Sequence, residues 1–130
     1  MSEYPRMFRI RQKFERPVVA DIAAEVDAQL RRLDLGQRIR PGQSVAITAG
    51  SRGIAAIPVI LRSVVEHLKR LEAKPFLVPA MGSHGGGTAE AQKSLLHGLG
   101  ITESSCGCPI LASMETVEVC RAKEGFPLYF

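Results

Sequence analysis

The sequence predicts an α/β fold, a doubly wound and mainly parallel sheet with helices on both faces, and three observations predict it. Two short apolar runs, Ser44–Ala49 and Phe76–Ala80, read as buried strands, the first rich in β-branched residues. Each run ends in a glycine-bearing loop. Each loop leads into a stretch with apolar residues at helical spacing, so the order strand, glycine loop, helix occurs twice. The composition agrees: 45% of the 130 residues are hydrophobic, only 5% are aromatic and none is Trp, which describes a core of Val, Ile, Leu and Ala.

Taken in order, Met7–Phe14 alternates apolar Phe8, Ile10 and Phe14 with Arg9, Arg11 and Lys13, the period of a strand with one buried and one basic face. Val18, Ile22, Val26, Leu30 and Leu33 recur at helical spacing, and Gly36 is a plausible stop. Arg40-Pro41-Gly42-Gln43 marks a turn before the first buried strand, which ends at Gly50-Ser51-Arg52-Gly53. Ile57, Leu61, Val64, Val65, Leu68 and Leu71 form the stripe of the next helix, with Pro58 in its first turn. Lys74-Pro75 opens the second buried strand, and Thr88 is a natural N-cap for a helix carrying Leu95, Leu96 and Leu99. Pro109–Leu111, Thr116–Val119 and Leu128–Phe130 read as short strands, with Glu124-Gly125 in a turn. The whole is expected to be one Rossmann-like domain spanning residues 1–130, with both glycine loops at the carboxyl edge of the sheet, where ligands bind.

Several function classes are disfavoured by composition. A net charge of +4 suits anionic partners, but its basic residues are spread out and no nucleic-acid motif or aromatic interleaving accompanies them. No apolar stretch approaches the length of a membrane span and the first residues lack a signal h-region, so the chain is read as cytoplasmic, with neither membrane nor nucleic acid as partner. Cys106, Cys108 and Cys120 are then expected to be reduced structural thiols, with no metal ligand set among them.

The chemistry gathers on the two loops. Gly82-Ser83-His84-Gly85-Gly86-Gly87 holds four glycines in six residues, a composition that is costly unless the backbone takes positive φ or lets a ligand approach closely. It fits neither a P-loop nor G-x-G-x-x-G. His84 could exchange a proton near neutral pH or simply cap neighbouring backbone groups. Arg52 could clamp a carboxylate or phosphate or sit as a solvated turn residue. His67 and His97 read as surface residues.

These loops, Gly50-Ser51-Arg52-Gly53-Ile54 and Pro79-Ala80-Met81-Gly82-Ser83-His84-Gly85-Gly86, together with Gly100-Ile101-Thr102-Glu103 and Ser113–Glu118, resemble the lactate racemase family of nickel-pincer enzymes. The resemblance implies a two-domain enzyme that interconverts stereoisomers of a 2-hydroxy acid. Its cofactor, a nickel-pincer nucleotide, accepts hydride from the carbinol carbon and returns it to the opposite face. On that resemblance His84 exchanges the hydroxyl proton, while Ser51, Arg52, Gly53, Gly82, Ser83, Gly85 and Gly86 bind substrate or cofactor. Where the racemases proper carry an acidic residue, this chain has Ala49. The family's cofactor-tethering lysine, nickel-binding histidine and second proton-transfer histidine match nothing before Phe130. The chain, which stops in apolar strand-like sequence at Phe126–Phe130, is therefore expected to be the N-terminal part of a larger protein and inactive alone. The other reading is a non-catalytic module that binds an anion or nucleotide on the same loops.

Overall fold

The computed structural model describes residues 7–130 and is a mixed α/β structure. Its elements are α1 (Ile22–Arg32), β1 (Ser44–Ala49), α2 (Ile57–Arg70), β2 (Lys74–Pro79), α3 (Ala89–Gly98), α4 (Glu103–Cys106), β3 (Glu118–Arg121) and β4 (Pro127–Tyr129). The expected strand at Met7–Phe14 is not formed. Among the described residues nothing pairs with its backbone, and Phe8, Ile10 and Phe14 stay 71–82% exposed. Alternation supplies a face to bury, but a strand also needs a neighbour to satisfy its N–H and C=O groups. Val18 likewise lies outside α1, which Asp21 starts by accepting a hydrogen bond from Ala24 N–H.

β1 and β2 pair in parallel, Ser44 opposite Lys74 through Ala49 opposite Pro79, so both strands end at one edge. Residue 110 extends this pairing through a single parallel bridge between Leu77 and Ile110, with Leu77 N–H donating to Pro109 O and Leu111 N–H to Leu77 O, both at 2.9 Å. The segment Pro109–Leu111 is thus a bridge rather than a full strand. β3 and β4 form a separate antiparallel hairpin, turned at Glu124-Gly125 as expected.

The core lies between one face of the small parallel sheet and the helices. Ala49, Leu77 and Ile110 meet Leu61 and Val65 of α2 and Leu96 of α3, and Met81, Ile101, Cys106 of α4 and Cys108 complete the cluster. The free cysteines at 106 and 108 are buried and Cys120 is exposed. The opposite sheet face, with Ala46, Phe76 and Val78, carries no packed helix among the described residues. Instead it floors a groove of about 920 Å³ bordered by the start of α3, residues 110–117 and Phe130. Among the described residues no helix is long and apolar enough to cross a membrane.

α1 joins the structure by packing on α2, and its apolar stripe is only half-buried. A polar cluster reinforces the contact: Asp27 accepts from Arg31 at 2.8 Å, bonds His67 Nδ1 at 3.0 Å and pairs with Arg70. His67, expected at the surface, is therefore buried at 7% exposure, because α1 covers that side of α2. The His67 bond, helped by Arg31 and Arg70, holds the Asp27 carboxyl below its ordinary value of 3.8. A depressed carboxylate stabilises the fold above its unfolded pKa and loses that contribution as pH falls through the folded one. Amide exchange in α1 is accordingly expected to accelerate below about pH 4 relative to α3. In Asp27→Asn the acid-specific difference should vanish; its persistence would assign the effect elsewhere.

Candidate functional site

The site begins where two parallel strands stop together. Ala80 N–H donates to Ala49 O at 2.8 Å, prolonging the ladder past β2 and holding the two strand ends side by side as the loops diverge. Loop 1 runs from Gly50 to Ala56, and α2 begins at the first residue of the expected stripe. α2 starts at Ile57 after Ala56, an N-cap residue in the left-handed region with no side-chain cap, and Pro58 sits in the first turn. Residues 52–54 are consequently left exposed.

Loop 2 is a tight turn that the glycines make possible. His84–Gly87 coils as a 3-10 turn broken by Gly85 and Gly86, whose φ values of 65° and 68° belong to the left-handed region that side chains disfavour. Gly85 also lies against the start of α3. A Cβ there would stand 3.1 Å from the Ala91 carbonyl carbon and 3.2 Å from Gln92 N, inside ordinary contact. Thr88 caps α3 as expected, its hydroxyl accepting from Ala91 N–H at 3.3 Å.

A second clamp on loop 2 escaped sequence reasoning. Gln92 is 8% exposed, and its Nε2 donates to Gly82 O at 2.7 Å, tying α3 to the first glycine of the loop. Its signal was spacing: Gln92 stands three and four residues before Leu95 and Leu96 and so faces the same way as the apolar stripe. Within that stripe Leu96 is fully buried and Leu99 packs against the core, whereas Leu95 is 41% exposed.

The two loops touch through one pair of side chains. Ser51 Oγ lies 2.5 Å from His84 Nδ1, a hydrogen bond across thirty-three residues of sequence. A pocket of about 560 Å³ adjoins this contact, lined by Ser51, Gly85, α3 residues from Ala91 to Gly98, and Leu99 just after the helix. Arg52 and Ser83 are exposed, and among the described residues Arg52 has no hydrogen-bond or ionic partner. Of the expected site residues, then, Ser51 and His84 are brought into contact. Gly82, Gly85 and Gly86 shape the loop that carries His84, and Arg52 and Gly53 lie beside the pair on loop 1.

This arrangement can do two things. An imidazole held at one nitrogen by a hydroxyl and open at the other can exchange a proton with a bound hydroxyl group. The exposed guanidinium of Arg52, on the residue after Ser51, can bind an anion.

Elsewhere, Glu103 accepts from Ile110 N–H at 3.1 Å, and this bond, with Lys93 3.6 Å away, holds its carboxyl below the usual range while pinning residue 110 to α4. Burial, reinforced by neighbouring Cys106, raises the Cys108 thiol, so it is a poor nucleophile. Among the described residues no three His, Cys, Asp or Glu side chains gather to hold a metal. Comparison with protein-family models, with curated proteins and with solved structures finds no match to this chain.

Proposed function

We propose that these residues are the N-terminal portion of a cytoplasmic, lactate racemase-like enzyme, a Rossmann-like doubly wound domain whose strand-end loops face a 2-hydroxy carboxylate. On this reading His84 takes and returns the substrate hydroxyl proton, Arg52 binds the carboxylate, and the backbone of loop 2 lines the site. The observation that supports it most is the Ser51–His84 bond, which joins the two glycine loops at the shared carboxyl edge of parallel strands. The uncovered sheet face at Ala46, Phe76 and Val78 is where the second helical layer of a doubly wound sheet would lie.

The nickel-pincer nucleotide implied by the resemblance finds no ligand set here, since no metal-binding group forms among the described residues. Its tethering and nickel ligation are assigned to the remainder of a longer chain, and no step is routed through it.

Titrating lactate or another 2-hydroxy carboxylate into this chain should shift the amide resonances of Ser51–Gly53 and Gly82–Gly86 saturably. Arg52→Ala should weaken that affinity about tenfold or more, because a charge-assisted hydrogen bond is worth about 1.5–3 kcal/mol. No saturable shift at millimolar ligand would sink the binding claim. The catalytic claim fails separately if a complete, cofactor-loaded protein keeps its racemase activity after His84→Ala. The exposed Arg52 also suits a non-catalytic module that binds an anion or nucleotide. Phosphate competing as well as the hydroxy acid, with His84→Ala leaving both affinities unchanged, would favour that module.

A further inference from the structure

We infer that Ser51 is a positioning residue that sets the tautomer of His84, accepting a hydrogen bond from Nδ1–H so that Nε2 carries the lone pair and is the reactive atom. The inference deepens the proton-exchange reading and rests on it for the role given to Nε2.

Its geometric half is independent of that reading. Ser51 Oγ occupies Nδ1 at 2.5 Å, so Nε2 is the ring nitrogen left open, on an exposed side chain whose loop faces the carboxyl edge. The alternative partner for Nδ1, a backbone carbonyl of loop 2, is not used: His84 N–H donates to Met81 O at 3.2 Å and Gln92 takes Gly82 O. Met81 O and Gly82 O are thus committed to the loop's own turn and to α3, and a side chain from loop 1 holds the imidazole.

The direction of the bond follows from what the imidazole must do. A neutral imidazole has one N–H and one lone pair, and in water the proton prefers Nε2. That form leaves Nε2 as a donor, unable to take a hydroxyl proton. The Ser51 hydroxyl could donate to a bare Nδ1 or accept from Nδ1–H; acting as the acceptor, it stabilises the Nδ1–H form and leaves the Nε2 lone pair open. Ser51 then has the same relation to His84 that a carboxylate or carbonyl has to a catalytic histidine, with a neutral and weaker partner. It touches neither substrate nor cofactor in this role, which separates it from Arg52.

Nitrogen-15 spectra of this chain at about pH 9, alkaline enough for a neutral imidazole, test the inference without substrate. The native chain should show His84 with a protonated Nδ1 and a bare Nε2. In Ser51→Ala the major tautomer should invert to Nε2–H, and Ser51→Thr, which keeps the hydroxyl, should restore the native pattern. Amide spectra of α2, β2 and α3 report whether each variant remains folded; if Ser51→Ala does not fold, the native tautomer alone decides. A native His84 protonated at Nε2, or an Ser51→Ala variant with an unchanged tautomer, would overturn the inference. Failure to bind any hydroxy carboxylate would instead count against the proposed function, because the tautomer is read in its absence.

Discussion

Leu77→Ala is expected to destabilise the protein by about 2–5 kcal/mol, the range for removing a fully buried leucine from a core that cannot collapse around the gap. Leu77 is the central residue of the sheet: it has no exposure, stands opposite Ile47 of β1, and bonds the 109–111 segment on its other side. It also shares the core with Val65 and Leu96, so its loss loosens both helices that flank the site. Domains are stable by only about 5–15 kcal/mol, so the denaturation midpoint should fall by a large fraction of its value. Leu111→Ala, at a side chain 53% exposed, should move it by about 0.5 kcal/mol or less. Equal shifts for the two variants would mean that the core does not lie on this face of β2.

Gly85→Ala is expected to displace loop 2 from α3 and break the Ser51–His84 contact. Two costs combine. An alanine in the left-handed region costs about 1–2 kcal/mol, and its Cβ would press on backbone atoms of Ala91 and Gln92, which cannot swing aside as a side-chain tip would. Gly86→Ala separates these terms, because Gly86 has nearly the same φ but open space around its Cβ position. Gly85→Ala should therefore cost more than Gly86→Ala, by about 1 kcal/mol or more. It should also shift the Ser51 and His84 resonances further, with β1, β2 and α2 unmoved. If Gly86→Ala proves as damaging, torsion alone governs the loop and the contact with α3 is incidental.

Much of the local structure is legible from the chain. Ser44–Ala49 forms β1 with the expected bounds, because an apolar, β-branched run between Pro41-Gly42 and Gly50 has few alternatives. Thr88 caps α3, Pro58 sits in the first turn of α2, and the glycines of loop 2 take positive φ, all consequences of chemistry within a few residues. Alternation at Phe8, Ile10 and Phe14 was a weaker guide, since pairing depends on a partner that the segment itself does not contain. His67 misled for a related reason. It stands beside Glu66, Lys69 and Arg70 on α2, but α1 lies over it and Asp27, forty residues away in sequence, supplies its hydrogen bond.

By itself the sequence determined that this protein is an α/β chain with two glycine loops bearing Arg52 and His84, because helical and strand periodicities and glycine torsions are local properties. Only the tertiary structure decided that Ser51 meets His84, that Gln92 ties α3 to Gly82, and that the described helices leave one sheet face open. Those facts depend on the parallel register of β1 and β2 and on the way α3 packs. Contacts between residues far apart in the chain are set by how whole elements share a core, which no single stretch of sequence specifies.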